Sequence, residues 1–230
     1  MKSKRVNMDG RQLGIPLAGS LGVGNEGTES GVPWISVVLL AAGESKRMGQ
    51  PKLLMPWGET TILEQAISNC LGSRAKQVVV VLGHRAEDMI RLVRGERADV
   101  VVNPAYRQGM GTSIACGLDL VSDKAQGIML ALCEQPSVDP ATIDQLIAAF
   151  GASSKGITIP RYGDRRGHPV IFATRYKEEL SRLTGDTGGR QIVARHPDDI
   201  LEVAVSCEGV LSDIDTLDSY NLELSKIGRR

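Results

Sequence analysis

Nearly continuous apolar runs alternate with segments of helical periodicity through the first two thirds of the chain. Gln77–Leu82 and Gly127–Leu132 are two such runs, and residues 37–40 form a third. Runs of this length are typical of buried parallel strands. Between them, apolar side chains recur every three to four positions, as in residues 60–71, which predicts helices with one buried face.

The order of these segments predicts the fold class. The predicted strands are residues 35–40, 77–82, 98–102 and 127–132, and the predicted helices are residues 60–71, 85–94, 112–121 and 140–150. This alternation implies an α/β fold with a mostly parallel, twisted sheet and helices on both faces. Ligands of such sheets bind at the carboxyl ends of the strands, so we expect the site in the loops that follow them.

The pattern changes after about residue 156, where the predicted elements become short. In chain order they are strands at 156–160 and 168–173, two short helices, strands near 200–205 and 210–214, and a helix from Thr216. A polar, arginine-rich loop, residues 161–167, separates the first two of these strands. We expect this part to be a small substrate-binding region within a single domain of residues 34–230. Residues 1–33 are rich in glycine without sustained periodicity, which predicts a mostly disordered leader.

Composition narrows the class of protein. The 230 residues carry 27 Lys+Arg and 27 Asp+Glu, so anion binding must be local and a nucleic-acid partner is not indicated. Aromatic residues make up only 3%, which argues against a stacking platform for single strands. No apolar run reaches the roughly 18 residues of a membrane span. The four cysteines are widely separated and form no C-x-x-C pair, so we expect core thiols in a reducing cytoplasm.

The loop after the first strand has the features of a phosphate-binding loop. Three small residues, Ala41-Ala42-Gly43, let a large ligand approach the backbone, and three cations follow at Lys46, Arg47 and Lys52. The loop is not a Walker A motif, because Met48 stands where that motif needs glycine. The spacing Gly22-x-Gly24-x-x-Gly27 fits a dinucleotide fingerprint but precedes the first strand instead of following one.

The same loop resembles a family signature. Residues 40–52 read L-A-A-G-E-S-K-R-M-G-Q-P-K and fit every specified position of L-A-A-G-x-S-x-R-M-G-x-x-K, the signature of the MobA-like nucleotidyltransferase superfamily. The Ala-Ala-Gly form is similar to the molybdenum cofactor cytidylyltransferase branch, whereas guanylyltransferase relatives usually carry Ala-Gly-Gly or Gly-Gly. The resemblance implies a Rossmann-like nucleotidyltransferase fold. It also implies Mg²⁺-dependent transfer of CMP from CTP to molybdenum-loaded molybdopterin, with release of pyrophosphate.

The resemblance also assigns the nucleotide contacts. Lys52 is expected to contact the α-phosphate and Arg47 the β- and γ-phosphates. Lys46 occupies an unspecified position and is expected to be a surface cation. Residues 109–114 resemble a G-M-x-x-S-L segment ahead of a helix, where Ser113 and the helix N-terminus can meet the nucleotide. The expected nucleotide-binding loop consists of Leu40, Ala41, Ala42 and Gly43.

Carboxylates for Mg²⁺ occur in two places. Glu134 follows the fourth strand, where the family usually carries Asp, and this is the clearest departure from the pattern. Asp213 and Asp215 lie in D-I-D-T, which resembles the D-I-D-T-P-E-D segment of the cytidylyltransferase branch. In a strand both would point to one side, and Asp215 is the favoured ligand.

The resemblance places the acceptor-substrate contacts at Gly167, His168 and Asp186. Gly167 and His168 belong to a G-H-P-V segment, and Asp186 belongs to a G-D-x-G turn. A molybdenum hydroxylase or its chaperone would be the recipient of the product.

Three alternatives remain open from the sequence. They are guanylyl transfer in the same pathway, nucleotidyl transfer to a sugar or alditol phosphate, and a catalytically impaired protein that binds and delivers molybdopterin. A redox role also occurs among relatives, although here no dinucleotide fingerprint follows a strand.

Overall fold

The computed structural model describes residues 31–93 and 96–227, with the side chain of Lys46 excepted. Residues 1–30 of the predicted leader therefore lie outside the described residues. Arg94, at the end of a predicted helix, also lies outside them. Within the described residues, no helix is both long and apolar enough to cross a membrane.

One large sheet organises the described chain. Its strands are β1 (Ile35–Ala41), β4 (Gln77–Leu82), β5 (Asp99–Val102), β6 (Gly127–Leu132), β7 (Ile157–Tyr162), β8 (Arg165–Arg166), β9 (Val170–Ala173) and β10 (Ile200–Ala204), and a separate two-stranded hairpin pairs β2 (Pro56–Trp57) with β3 (Thr60–Thr61). The strand order is β10-β7-β9-β6-β1-β4-β5, with β8 attached to β7. The neighbours of β1 are both parallel to it, and β9 runs antiparallel to both of its neighbours.

Helices cover both faces of this sheet, which confirms the predicted fold class. They are α1 (Ile62–Leu71), α2 (Ala86–Val93), α3 (Met110–Leu118), α4 (Pro140–Gly151), α5 (Lys177–Ser181), α6 (Arg190–Arg195) and α7 (Leu217–Ile227). The start of α1 is fixed by a capping box in which Thr61 and Glu64 exchange hydrogen bonds. Asp139 caps α4 and Pro140 occupies its first turn, as the sequence predicted.

The central strands are buried on both faces. Residues Val37, Val38, Val79 and Val80 are all 0% exposed, which explains why these strands lack alternation between apolar and polar positions. Helix α3 packs so closely on them that a Cβ at Gly117 would overlap Val38. Strands β1 and β6 pair in parallel up to Leu40 and Leu132, so their carboxyl ends lie side by side and the loops that follow them meet.

The predicted strand near residues 210–214 is wrong. Glu208–Leu211 forms a 3-10 turn, and the segment after it is not a strand. The carbonyl of Val210 accepts from the His168 amide at 2.9 Å, and the Ile214 amide donates to the Glu134 carbonyl at 3.0 Å. Residues 210–214 are thus held by single hydrogen bonds to two different segments, without the repeated bonds between paired β-strands. Asp213 and Asp215 therefore do not lie on a strand, and the expectation that strand geometry points both to one side does not apply.

Other boundaries differ as well, and two of them have an identifiable physical reason. The strand predicted from residue 168 begins at Val170, because Pro169 has no N–H to donate. Helix α3 begins at Met110, two residues before the predicted start, because its first amides find acceptors on a distant segment.

Candidate active site

The loop after β1 folds back on itself. Ser45 and Gly49 have positive φ angles of 54° and 65°, and they flank a short 3-10 turn, Lys46–Met48. The Ser45 Oγ accepts a hydrogen bond from the Lys52 amide at 3.3 Å. This closure points the Lys52 side chain toward the loops that follow β6 and precede α7.

Four charged side chains meet there. The Nζ of Lys52 donates to a carboxylate oxygen of Glu134 and, at 2.9 Å, to Oδ1 of Asp215. Arg47 donates from Nη2 to the other Asp215 oxygen at 2.8 Å. Lys52 is 8% exposed, whereas the Arg47 side chain is 70% exposed. The sequence-predicted phosphate-binding cations and two of the predicted metal ligands therefore form one cluster.

The surroundings shift the pKa values of this cluster in opposite directions. Burial alone would lower the pKa of Lys52, but Glu134 and Asp215 outweigh it and raise that pKa above its ordinary value. Burial raises the pKa of Glu134, Lys52 opposes the rise, and the charges of Asp215 and Asp213 add to it. Burial would also raise the pKa of Asp215, but hydrogen bonding and charge from Lys52, together with Arg47, lower it. Asp215 is therefore the more firmly ionised of the two carboxylates that contact Lys52.

Asp213 lies beside this cluster with a different partner. Its Oδ1 accepts from the Gln135 Nε2 at 2.8 Å, and the same amide group donates to the Val210 carbonyl at 3.2 Å. Gln135 is 5% exposed and thus locks the segment before α7 to the loop after β6. Sequence reasoning missed Gln135, although its position next to Glu134 in the post-strand loop was a signal.

The donor set fits a hard divalent cation. Among the residues that the structure describes, no three His, Cys, Asp or Glu side chains form a group that could hold a metal. Glu134 and Asp215 nevertheless converge on one cationic atom, the Lys52 Nζ. Two carboxylates with substrate phosphates and waters are the usual ligands of Mg²⁺. The two side chains could hold such an ion once Lys52 moves away.

Of the predicted nucleotide-binding loop, Leu40, Ala41 and Ala42 pack against other parts of the protein, whereas Gly43 is open to solvent. The Leu40 carbonyl accepts from Cys133 at 3.1 Å and the Ala42 carbonyl from His84 at 3.2 Å, so these residues hold the neighbouring loops. Ala41 is buried. Gly43 is exposed, and apart from its chain neighbours no heavy atom of the described residues lies within 4 Å of the place where its Cβ would stand. Close approach of a ligand to the backbone is therefore possible at Gly43.

Replacing Gly43 with alanine tests this approach. We expect the free energy of unfolding to change by less than about 0.5 kcal/mol, because the added methyl group meets no protein atom. We expect CTP affinity to fall about tenfold, because that methyl group would occupy space that a phosphate needs. Isothermal titration and urea denaturation measure the two effects. Gly31→Ala is the matched control, since a Cβ at Gly31 also meets no atom of the described residues; equal CTP affinity in both variants would contradict the assignment.

Ser113 is buried, and its surroundings show a network that the sequence did not predict. The Asn103 Nδ2 donates to Ser113 Oγ at 3.0 Å and to Thr112 Oγ1 at 2.9 Å. The amides of Met110, Gly111 and Thr112 already have protein acceptors. The N-terminus of α3 therefore offers no free amide at these three positions, and any contact with a nucleotide would come from side chains.

A cavity of about 400 Å³ lies beside α6. Its walls are mainly apolar, with Leu130, Phe172 and Val193 among them, and Arg190 supplies positive charge. Arg166 also lines the cavity, but its Nε donates to Glu202 at 2.7 Å, so its charge is already paired. A volume of this size is ordinary for a small-molecule site. Sequence reasoning identified neither arginine as a site residue.

Gly167 and His168 both line this cavity. Burial lowers the pKa of His168, as does the charge of Arg190, while Asp213 opposes them. The buried Nδ1 of His168 has no hydrogen-bond partner among the described residues. Its backbone amide shares the Val210 carbonyl with Gln135, which connects the cavity to the charged cluster. Asp186 does not line the cavity; its Oδ1 accepts from the Met110 amide at 3.0 Å.

Fold and site together define an α/β protein of the Rossmann-like nucleotidyltransferase fold. Residues 37–200 match the MobA-like NTP transferase domain, and the chain belongs to that family. The relatives described next support its place in the branch of the molybdenum cofactor cytidylyltransferases, as the loop motif predicted.

Two curated relatives carry different names. Nicotine blue oxidoreductase of Paenarthrobacter nicotinovorans is 30% identical over 198 residues, which are 83% of this chain and 96% of that protein. Molybdenum cofactor cytidylyltransferase of Escherichia coli strain K12 is 27% identical over 187 residues, covering 81% of this chain and 93% of that protein.

A similar solved structure is that of Rv0371c from Mycobacterium tuberculosis H37Rv. It is 36% identical with a TM-score of 0.75, and the match covers 84% of this chain and 98% of that one. A structure of Rv0371c in complex with manganese is 35% identical over the same shares of both chains, with a TM-score of 0.71.

Proposed function

We propose that this protein is a Mg²⁺-dependent cytidylyltransferase that moves CMP from CTP onto molybdenum-loaded molybdopterin and releases pyrophosphate. The observation that carries the proposal is the meeting of Lys52 and Arg47 with Glu134 and Asp215 at the loop after β1. The two cations can neutralise the charge of a triphosphate, and the two carboxylates can bind a divalent metal ion. The relative named molybdenum cofactor cytidylyltransferase supports the choice of substrates. The proposal treats residues 34–230 as one nucleotidyltransferase domain.

The reaction is an in-line displacement at the α-phosphorus. A phosphate oxygen of the acceptor forms the new bond to the α-phosphorus, while the bond to the β-phosphate bridging oxygen breaks and pyrophosphate leaves with the electron pair. In this proposal Lys52 neutralises the α-phosphate and the exposed Arg47 holds the departing phosphates. The metal, when bound by Glu134 and Asp215, would offset charge on the phosphate oxygens. In this proposal Lys52 would leave the two carboxylates for the α-phosphate when Glu134 and Asp215 hold the metal.

The cavity beside α6 is the proposed acceptor site. Apolar walls suit the flat rings of a pterin, and the positive charge of Arg190 suits its phosphate. His168 has an unpartnered buried nitrogen that can accept from or donate to a ring heteroatom. A sugar or alditol phosphate could place its phosphate at Arg190 but would make few contacts with the apolar walls. The apolar walls therefore favour a pterin as the acceptor.

Pyrophosphate release tests the proposal. Purified protein with Mg²⁺ and molybdopterin should release pyrophosphate from CTP, and omission of molybdopterin should abolish the release. Release from GTP but not CTP would move the protein to guanylyl transfer. Release only with a sugar or alditol phosphate would change the acceptor, and no release from any nucleoside triphosphate would contradict transferase activity altogether.

A second candidate function is oxidoreduction of a pigment such as nicotine blue. It is favoured by the 30% identity to the oxidoreductase that carries this name, across 96% of that protein. The Gly22-x-Gly24-x-x-Gly27 spacing lies outside the described residues and lends this candidate no structural support. Consumption of a reduced nicotinamide dinucleotide with nicotine blue, together with absent pyrophosphate release, would favour oxidoreduction over transfer.

A further inference from the structure

The segment from Leu183 to Arg190, the first residue of α6, contacts two parts of the molecule; we refer to it as the strap. Gly189 and Arg190, at its end, line the cavity beside α6. Its middle lies against the first turn of α3, where the Met110 amide donates to Asp186 Oδ1 at 3.0 Å and the Gly111 amide to the Gly185 carbonyl at 2.9 Å. These helix-initiating amides have no acceptor within α3 itself, so the strap supplies it.

Backbone meets backbone along this contact. A Cβ at Gly111 would overlap the Leu183 carbonyl, and a Cβ at Gly109 would overlap Gly185. Gly109 also has a φ of 107°, which favours glycine. The backbones of α3 and the strap therefore touch directly. If the strap moved, no side chain between them could change its rotamer to keep the contact.

The other end of the strap is equally confined. A Cβ at Gly189 would overlap the ring of Phe172, which is itself 1% exposed. Arg190 follows directly as the first residue of α6, and its charge acts on His168. The anchoring of the strap on α3 therefore sets where Arg190 stands at the cavity.

We propose that Asp186 is a positioning residue, which holds the strap through the Met110 amide and thereby places Arg190 for the acceptor, without contacting the acceptor itself. The proposal rests on the proposed function for the identity of the acceptor. It differs from the expectation by resemblance that Asp186 meets the acceptor directly. A neutral oxygen suffices for this role, because the Met110 amide needs only an acceptor.

Two variants of Asp186 separate positioning from direct contact. Asp186→Ala should raise the KM for molybdopterin about tenfold or more, with the KM for CTP unchanged and kcat changed less, because misplaced contacts weaken acceptor binding. Asp186→Asn should stay close to wild type, because its Oδ1 still accepts from Met110. Asp123→Ala and Asp123→Asn are matched controls, since Asp123 is an exposed carboxylate in the turn before β6, at the opposite end of the sheet.

Amide hydrogen exchange gives a readout that does not depend on turnover. In nucleotide-free protein, Asp186→Ala should accelerate exchange at Met110 and across residues 183–190, whereas Asp186→Asn should not. Isothermal titration with molybdopterin should show the same order of affinities. Equal losses in the Asn and Ala variants would overturn the proposal in favour of a direct charge contact, and wild-type exchange and affinity in Asp186→Ala would overturn it as well. Failure of the proposed function appears separately, as absent pyrophosphate release from the wild-type protein.

Discussion

Replacing Lys52 with methionine should lower the turnover of CMP transfer about 10²–10³-fold, while the nucleotide-free protein should bind Mn²⁺ more tightly than wild type. The first effect follows from the loss of the positive charge proposed to neutralise the α-phosphate. The second follows because the Lys52 Nζ stands between Glu134 and Asp215, where a divalent cation would bind. Removal of the ammonium leaves two carboxylates without their buried counter-charge.

Turnover of the Lys52→Met variant is measured by pyrophosphate release, and Mn²⁺ affinity by the electron paramagnetic resonance of the free ion. Lys76→Met is the matched control, because Lys76 is exposed at the opposite end of the sheet, just before β4. Unchanged turnover in Lys52→Met would remove the basis for the phosphate assignment. Weaker Mn²⁺ binding in that variant would show that Lys52 and the metal do not share a site.

Asp215→Asn and Asp213→Asn form the second pair with a large expected difference. Asp215 contacts both Lys52 and Arg47 through separate oxygens, whereas the only side-chain partner that the structure gives Asp213 is the amide of Gln135. Asparagine keeps an acceptor for Gln135 but cannot replace an anionic metal ligand. We therefore expect a loss of at least 10- to 100-fold in turnover and Mn²⁺ affinity for Asp215→Asn, and less than about threefold for Asp213→Asn.

Pyrophosphate release and Mn²⁺ affinity are measured for both variants. Equal losses in both variants would make Asp213 a second metal ligand, and a larger loss for Asp213→Asn would reverse the assignment. Thermal denaturation of each variant checks that the fold is intact, since Asp213 also helps to hold the segment before α7.

The sequence was informative wherever one segment carries its own constraint. The runs that became β1, β4 and β6 are buried on both faces, so their apolar character alone identified them. The loop motif drew attention to Lys52 and Arg47, and the structure places both against Asp215; their contact with phosphate stays a prediction. Asp139 and Pro140 marked the start of α4 by the same local logic.

The sequence was least informative where distant segments decide the structure. The residues around Asp213 are held by Glu134, Gln135 and His168, far away along the chain, and so do not form the predicted strand. Arg166 and Arg190 meet at the cavity only through the packing of β8 and α6. The G-D-T-G-G turn reads as a loop in sequence, and only tertiary contacts show Asp186 at the start of α3.

Lys52, Arg47, Glu134 and Asp215 together are proposed to bind a nucleoside triphosphate with its metal. The thermal stability of the wild-type protein with CTP alone, with Mg²⁺ alone and with both together measures this binding. We expect little effect of either alone and a marked stabilisation by the pair, about 2.7 kcal/mol when CTP is present at roughly 100 times its Kd. We also expect this stabilisation to disappear in Lys52→Met and Asp215→Asn. The same stabilisation in both variants as in wild type would place the nucleotide elsewhere on the protein.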